Sequence, residues 1–273
     1  MPQLREYQTT AIDKIRNEFA KGKKKVLLVA PTGSGKTVIA SSIINQAVNK
    51  GKSCMFVAHR RELVMQCSRK LSDFDIFHGV LMANKSETEE AQVQVASVQT
   101  FTARKDKTFF NKPKADLIIL DEAHRSVSNS FQELIKEYPE SYIIGLTATP
   151  CRSDGRGLGN IYDELVEASS IKKLINQGYL VPNKILAPTV PDLRDIKILA
   201  GDYEKKSLDE KMNTPKLIGD IVTHWQLFGE NRPTVVFASS INHSMQIANM
   251  FNNFNIPAGH IDGVMPELER EQQ

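Results

Sequence analysis

The fold of this 273-residue chain is decided by one stretch, Ala30-Pro31-Thr32-Gly33-Ser34-Gly35-Lys36-Thr37. This stretch follows the apolar run Val26–Val29 and precedes a helical pattern that continues to Val48. A strand, a loop of small residues and a helix that opens with Gly-Lys-Thr form the context of a phosphate-binding loop. Its two glycines let successive backbone N–H groups point at one anion, and the helix start adds further unpaired N–H groups. We therefore predict that the loop binds nucleotide phosphates.

The polar side chains of the loop have separate expected tasks. Lys36 is expected to reach the β- and γ-phosphates, and the Thr37 hydroxyl is expected to ligate Mg²⁺. The loop begins with Ala30 where the strict pattern has glycine, which replaces one small residue by another. The predicted nucleotide-binding residues of the loop are Thr32, Gly33, Ser34, Gly35, Lys36 and Thr37.

The composition is that of a globular domain, with 41% hydrophobic and 25% charged residues. A net charge of +3 permits a polyanionic partner but does not indicate one. Cys54, Cys67 and Cys151 form no CxxC pair, which argues against a disulfide framework and a cysteine zinc site. No apolar run is long enough to span a bilayer and the amino terminus is not a signal peptide, so we expect a cytoplasmic protein without a membrane partner.

A second candidate site follows the apolar run Asp116–Leu120, which is typical of a parallel strand buried on both faces. It consists of Asp121 and Glu122, and the carboxyl ends of such strands are where ligands bind in open α/β sheets. Asp121 is predicted to hold Mg²⁺ and Glu122 to polarise the attacking water. The alternative is an acidic pair at an ordinary helix start.

The rest of the chain alternates between strand and helix patterns, which indicates an α/β fold with a parallel sheet. Further predicted strands are Ser53–Ala58, Asp75–Leu81, Val93–Ala96, Tyr142–Leu146, Lys184–Val190, Thr234–Ala238 and a start at Ala258–Ile261. Predicted helices include Leu4–Ala20, Phe131–Tyr138, Ile161–Glu167, Ile171–Gln177 with Gly178 as C-cap, Pro215–Phe228 and Ile241–Phe254. Predicted loops are 83–92 and the stretch with Arg152, Asp154 and Arg156.

The residues alone do not decide the role of three polar positions. Arg60 lies between a strand end and a helix start, where it either contacts phosphate or is simply exposed. The hydroxyls and amide of residues 97–100 offer hydrogen bonds to a phosphate backbone. The Gln8 amide either reads an adenine edge or is a surface glutamine.

In their order along the chain, these blocks resemble the superfamily 2 helicases and translocases. The resemblance is to the group with DEAH-type second motifs that includes RadD-like proteins and type III restriction motor subunits. The matching blocks are 4–8, 30–37, 59–63, 97–100, 121–124, 146–150, 235–239, 261–263 and 269–270.

The resemblance implies an ATP hydrolase that moves on nucleic acid, with DNA favoured over RNA, and that uses ATP and Mg²⁺. It implies a RecA-like P-loop domain at 1–187, a linker at 188–214 and the start of a second RecA-like domain at 215–273. Gln8 and Arg5 would contact adenine. The implied catalytic residues are Lys36, Asp121 and Glu122; the Mg²⁺ ligands are Thr37 and Asp121; the nucleic-acid contacts are Arg60, Gln99 and Thr100; the coupling residues are His124, Thr147 and Thr149.

The family's fifth and sixth motifs, expected after Arg270, do not appear in the sequence, and the sixth carries an arginine finger. We therefore expect a truncated motor that binds ATP but hydrolyses it slowly and binds DNA weakly. One alternative is the motor segment of a restriction or defence complex with a nuclease or a replication or repair partner. Another is an ATP- and nucleic-acid-binding module with little turnover. A phosphate-loop kinase does not account for residues 121–124.

Overall fold

The structure is a computed structural model that describes residues 3–83, 85–87, 90–151, 155, 157–186, 192–199, 202–266 and 269–270. These residues form two compact units, Met1–Pro182 and Asn183–Gln273. The strands of the first unit are β1 (Lys25–Val29), β2 (Cys54–Ala58), β3 (Gly79–Met82), β4 (Lys85–Glu87), β5 (Val93–Ser97), β6 (Leu117–Leu120), β7 (Tyr142–Thr147) and β8 (Glu164–Glu167). Its helices are α1 (Glu6–Ala20), α2 (Lys36–Val48), α3 (Arg61–Ser72), α4 (Val98–Arg104), α5 (Asn129–Glu137) and α6 (Ile171–Asn176).

The eight strands of the first unit form one sheet in the order β4-β3-β5-β2-β6-β7-β1-β8. Every neighbouring pair is parallel except β3 and β4, which pair antiparallel at one edge. A single strand, β7, separates β1 from β6. Because parallel strands end at the same edge of a sheet, the residues that follow β1, β6 and β7 are brought close together.

Both faces of the sheet are buried at its central strands β1, β2, β6 and β7, which is why these strands read as nearly continuous apolar runs. Val26 and Leu28 of β1 belong to the cluster beneath α1, α2, α3 and α6. Leu27 belongs to the opposite cluster, which α4 and α5 cover. The alternating side chains of one strand therefore hold helices on both faces, and the predicted α/β architecture is confirmed.

The predicted helix over 161–167 is wrong. Residues Glu164–Glu167 form β8, which pairs parallel with β1 and buries Val166. Hydrogen bonding to the open edge of β1 outweighs the local helical spacing of this segment. The predicted loop over 83–92 likewise contains the edge strand β4.

The second unit contains β9 (Ile198–Leu199), β10 (Asp202–Tyr203), α7 (Lys205–Met212), α8 (Pro215–Phe228) and α9 (Ile241–Asn253). Helices α8 and α9 pack around Val222 and Phe251, as their predicted periodicity required. Part of the predicted linker is thus helical, because α7 lies within it.

The strands predicted at 234–238 and 258–261 do not form in this unit. These residues take no strand structure, and the Phe237 side chain is 95% exposed. A strand requires hydrogen-bonded partners, and the described residues of this unit supply only the short β9–β10 pair. Residues 184–186 also lack strand structure, while 187–190 and the predicted loop residues Arg152, Asp154 and Arg156 lie outside the described residues. The domain limits 1–187, 188–214 and 215–273 stay a prediction.

Within the described part of the chain, no helix combines the length and apolar character required to cross a membrane.

Candidate nucleotide-binding site

The predicted phosphate loop connects β1 to α2. Its first residue, Ala30, donates its N–H to the carbonyl of Thr147 at 2.9 Å, which fixes the loop to the end of β7. Gly33 and Gly35 have φ of +78° and +81°, a region that glycine adopts readily and other residues rarely. A Cβ added at Gly35 would also lie 2.7 Å from Nε2 of Gln8. Glycine is therefore required at this position by both backbone conformation and space.

Helix α1 contacts the phosphate loop through two side chains. The Tyr7 hydroxyl and Nε2 of Gln8 both donate to the carbonyl of Ser34, at 2.6 and 3.0 Å. Oε1 of Gln8 accepts from the backbone N–H of Arg5 at 3.0 Å. Gln8 is only 4% exposed, so it is a buried link rather than a surface glutamine. Its amide retains one N–H and one oxygen lone pair, the pair of groups that an adenine edge would use.

Lys36 begins α2, and its Nζ donates to the carbonyl of Ala30 at 3.4 Å. Asp121 follows β6, and its Oδ1 accepts from the N–H of Glu122 at 3.0 Å. Burial raises the pKa of Asp121, and the neighbouring Glu122 carboxylate acts in the same direction. The ammonium of Lys36 lowers the pKa of this same carboxyl. The loop that carries the predicted phosphate lysine and the predicted metal ligand thus follow β1 and β6, which a single strand separates in the sheet.

The acidic pair is connected to the end of β7 through a histidine. Glu122 has a left-handed backbone with φ of +49°, and its Oε2 lies 3.3 Å from Nδ1 of His124. The same Nδ1 lies 3.5 Å from the hydroxyl of Thr147. That hydroxyl donates to the carbonyl of Thr149 at 2.8 Å and accepts its N–H at 3.1 Å. The one hydroxyl hydrogen of Thr147 is donated to Thr149, so this hydroxyl can only accept from His124. The contacts therefore assign the ring proton of His124 to Nδ1.

The donors at this site suit Mg²⁺, which prefers hard oxygen ligands and is usually held by one or two carboxylates together with substrate phosphates. Thr37 offers a hydroxyl on the first turn of α2, and Asp121 offers a desolvated carboxylate with one oxygen left over. The described residues contain no group of three or more acidic, histidine or cysteine side chains that would hold a metal by itself. Thr37 and Asp121 therefore fit the ligand set of a magnesium ion that shares its other positions with nucleotide phosphates.

The predicted nucleic-acid residues follow β2 and β5, which are neighbours in the sheet. Arg60 is exposed at the start of α3, and Gln99 is exposed in the first turn of α4. Nε2 of Gln99 donates to the carbonyl of His59 at 2.7 Å, so the two loops are joined. Thr100, in contrast, is only 7% exposed and faces the core. Contacts of Arg60, Gln99 and Thr100 with nucleic acid stay predictions.

Several residues of this region were not foreseen from the sequence. Tyr7 lies on the buried face of α1, and its hydroxyl also donates to the phosphate loop. His59 has both ring nitrogens buried without a partner, and its burial together with Arg125 and Arg60 lowers the pKa of its ring. The sequence contains no local signal for the bond from Tyr7 to Ser34, because the two residues lie 27 positions apart along the chain.

This geometry, a phosphate loop one strand away from an acidic pair at the carboxyl edge of a parallel sheet, defines a P-loop nucleotide-binding domain. Residues 1–152 match the family model of the type III restriction enzyme res subunit. The chain belongs to this family, within the superfamily 2 helicases, as its motifs predicted.

Individual relatives agree with this membership. The chain is 30% identical to IRC3 of Saccharomyces cerevisiae, named as a candidate ATP-dependent helicase, over 99% of this chain and 42% of that protein. It is 28% identical to the type I restriction enzyme EcoAI endonuclease subunit of Escherichia coli, over 92% of this chain and 34% of that subunit. The chain spans about half the length of the curated relatives it matches.

Among solved structures, the fold is similar to that of the ATP-dependent type ISP restriction-modification enzyme LlaBIII bound to DNA. The TM-score is 0.63 at 16% identity, over 92% of this chain and 21% of that enzyme. This likeness supports the RecA-like fold that the sequence predicted.

Proposed function

We propose that this chain is an ATP-driven helicase or translocase that acts on nucleic acid, with DNA favoured over RNA. The observation that carries the proposal is the placement of the phosphate loop after β1 and of Asp121 after β6, at the same edge of the sheet and with a single strand between them. A lysine on a phosphate loop and a carboxylate at this position are the two parts that Mg²⁺–ATP requires. Family membership supports motor activity over the phosphate-loop kinase alternative.

Each residue of the site has a defined task in ATP hydrolysis. Lys36 neutralises charge on the β- and γ-phosphates, and the N–H groups of residues 32–37 surround them. Thr37 and Asp121 would hold Mg²⁺, which supplies positive charge to the phosphoryl group as it transfers. Glu122 orients and polarises the attacking water, and the Nδ1–H of His124 fixes the position of its carboxylate.

The base and the nucleic acid would lie on either side of these phosphates. Gln8 and Arg5 are the proposed adenine contacts, and Gln8 is joined to the loop at Ser34. Arg60 and Gln99 lie at the carboxyl ends of β2 and β5, where they are proposed to contact the phosphate backbone with Thr100. A change in the position of Glu122 is proposed to alter the end of β7 through the contact of His124 with Thr147 and the contact of Thr147 with Thr149. A cytoplasmic location stays a prediction.

A second candidate is the motor segment of a restriction complex whose nuclease lies on another segment or chain. The family model and the EcoAI relative favour this alternative. The two candidates differ in what they do to duplex DNA. A strand-separating helicase releases one strand of a labelled duplex, whereas a sliding motor displaces a third strand bound to the duplex and leaves the duplex paired.

The proposal is tested by nucleotide binding and by turnover with single-stranded DNA, duplex DNA and RNA. Lys36→Ala is expected to abolish ATP binding, because it removes the charge that neutralises the phosphates. Glu122→Gln is expected to bind ATP normally but to lose about 10²–10⁴-fold in turnover, the usual contribution of a general base. Lys50→Ala, at an exposed lysine that follows the C-cap of α2, is the matched control and should change neither quantity. Equal affinity of Lys36→Ala and the parent protein would refute the phosphate-loop assignment.

A further inference from the structure

Helix α6 ends in a geometry that directs the next two residues toward the nucleotide site. Gly178 has φ of +72° and donates its N–H to Ile175 at 2.9 Å, while the N–H of Tyr179 donates to Leu174 at 2.9 Å. These two bonds form the Schellman arrangement, in which a left-handed residue reverses the chain. The reversal packs Tyr179 and Leu180 against the core of the first unit.

Tyr179 contacts the start of α1. The guanidinium carbon of Arg5 lies 4.6 Å from the centre of the Tyr179 ring, and the Tyr7 ring lies 5.5 Å away. Tyr7 in turn donates to the carbonyl of Ser34. Cδ2 of Leu180 would lie 3.1 Å from a Cβ added at Gly33, so this side chain also lies close to the loop. The phosphate loop therefore has neighbours both in α1 and in the residues that follow α6.

The contact with Tyr179 has a specific consequence for Arg5. An exposed arginine has a long stem with many rotamers, and attraction to an aromatic face selects among them. The backbone N–H of Arg5 is also bonded to Gln8, whose amide retains the donor and acceptor that match adenine. Guanine presents two acceptors at the corresponding edge and does not match this amide.

We propose that Tyr179 is a positioning residue for base recognition, which holds Arg5 so that Arg5 and Gln8 present one fixed surface to adenine. This inference rests on the proposed function, since it requires that the loop binds ATP. Tyr179 acts through Arg5, which is a proposed contact of the base, so its loss should weaken selection of the base more than binding of the triphosphate.

The experiment compares the Mg²⁺-dependent affinities for ATP and GTP in the parent and in Tyr179→Leu and Tyr179→Phe. Tyr179→Leu, which keeps an apolar side chain but loses the ring, should weaken ATP binding about 3- to 10-fold and leave GTP binding within about 2-fold. Tyr179→Phe keeps the ring and should bind ATP within about 2-fold of the parent. The matched control is Tyr142→Leu. It removes a similar ring contact at the other end of α1, where the centres of the Tyr142 and Phe19 rings lie 4.8 Å apart.

A double substitution tests whether Tyr179 acts through Arg5. Arg5→Ala should weaken ATP binding in the parent but add no further loss in Tyr179→Leu, because the two residues form one unit. An equal loss of ATP and GTP affinity in Tyr179→Leu, or unchanged ATP affinity, would overturn the inference while the proposed function stands. A parent protein that binds neither nucleotide would overturn both. Thermal unfolding of each variant shows that it is folded.

Discussion

The hydroxyl of Thr147 lies 3.5 Å from Nδ1 of His124, so the end of β7 contacts the segment that carries Glu122, the proposed catalytic carboxylate. The same Nδ1 lies 3.3 Å from Glu122, which places one imidazole between the two. Thr147 is fully buried, and its hydroxyl makes two further contacts with the backbone of Thr149. A displacement of residues 147–149 therefore changes the contacts available to His124, and through it the position of Glu122.

Thr147→Val is expected to separate nucleotide binding from hydrolysis. Valine has nearly the shape of threonine but cannot make the contacts to His124 and Thr149, so the carboxylate of Glu122 loses part of its support. Turnover should fall about 10-fold with ATP affinity within about 2-fold, because a misplaced catalytic group affects the reaction more than binding. Thr147→Ser keeps the hydroxyl and should retain most of the activity. Full turnover in Thr147→Val, measured in a steady-state ATPase assay, would show that this contact has no role.

The nucleotide site was largely predictable because its signals are local. Strand, glycine and helix follow one another within residues 26–48, and the left-handed glycines at 33 and 35 are required by the sharp turn itself. The acidic pair after β6 was recognised for a similar reason, since a fully apolar run fixes the strand before it. The sequence also predicts Gly178 as the C-cap of α6; the C-cap is Gln177, and Gly178 follows it with the left-handed φ of +72° that ends the helix.

The errors arose where distant segments decide the outcome. Whether residues 164–167 are helical depends on the open edge of β1, which lies about 140 positions earlier in the chain. Residues 234–238 have strand character in their sequence, but no strand partner is present among the described residues of that unit. The contact of Tyr179 with Arg5 joins opposite ends of the first unit, so no pattern of spacing could have revealed it.

Gly145→Ala is expected to destabilise the sheet between the two halves of the nucleotide site. Gly145 of β7 pairs with Leu27 of β1 and Leu120 of β6, and an added Cβ would lie 2.4 Å from the Tyr162 hydroxyl and 2.5 Å from its ring carbon. Neither the sheet nor the buried ring can move away freely, so the cost should be about 1–3 kcal/mol in the free energy of unfolding.

Urea unfolding of Gly145→Ala measures this cost. Gly159→Ala is the control, because nothing lies within 4 Å of a Cβ added there and its φ is not positive. In the background of Tyr162→Leu, most of the cost of Gly145→Ala should disappear, since the clash has been removed. An equal cost in both backgrounds would mean that the steric contact with Tyr162 is not its source.

The three cysteines are expected to differ sharply in reactivity. Burial, assisted by the charge of Asp116, raises the pKa of Cys54 to about 12, and burial also raises the pKa of Cys67, whereas Cys151 is exposed. Because the thiolate is the reactive form, Cys54 and Cys67 should be inert in the folded protein at pH 8. A thiol reagent should therefore modify about one cysteine per chain in buffer and about three in urea, and Cys151→Ser should remove the reaction in buffer.

The raised pKa values also mean that the folded state holds its thiol protons more tightly than the unfolded state. Their contribution to stability is complete below the ordinary thiol pKa of about 8.5 and is lost progressively as the pH rises above it. Rapid modification of two or three thiols in the folded protein would show that β2 or α3 opens to solvent far more readily than its buried packing implies.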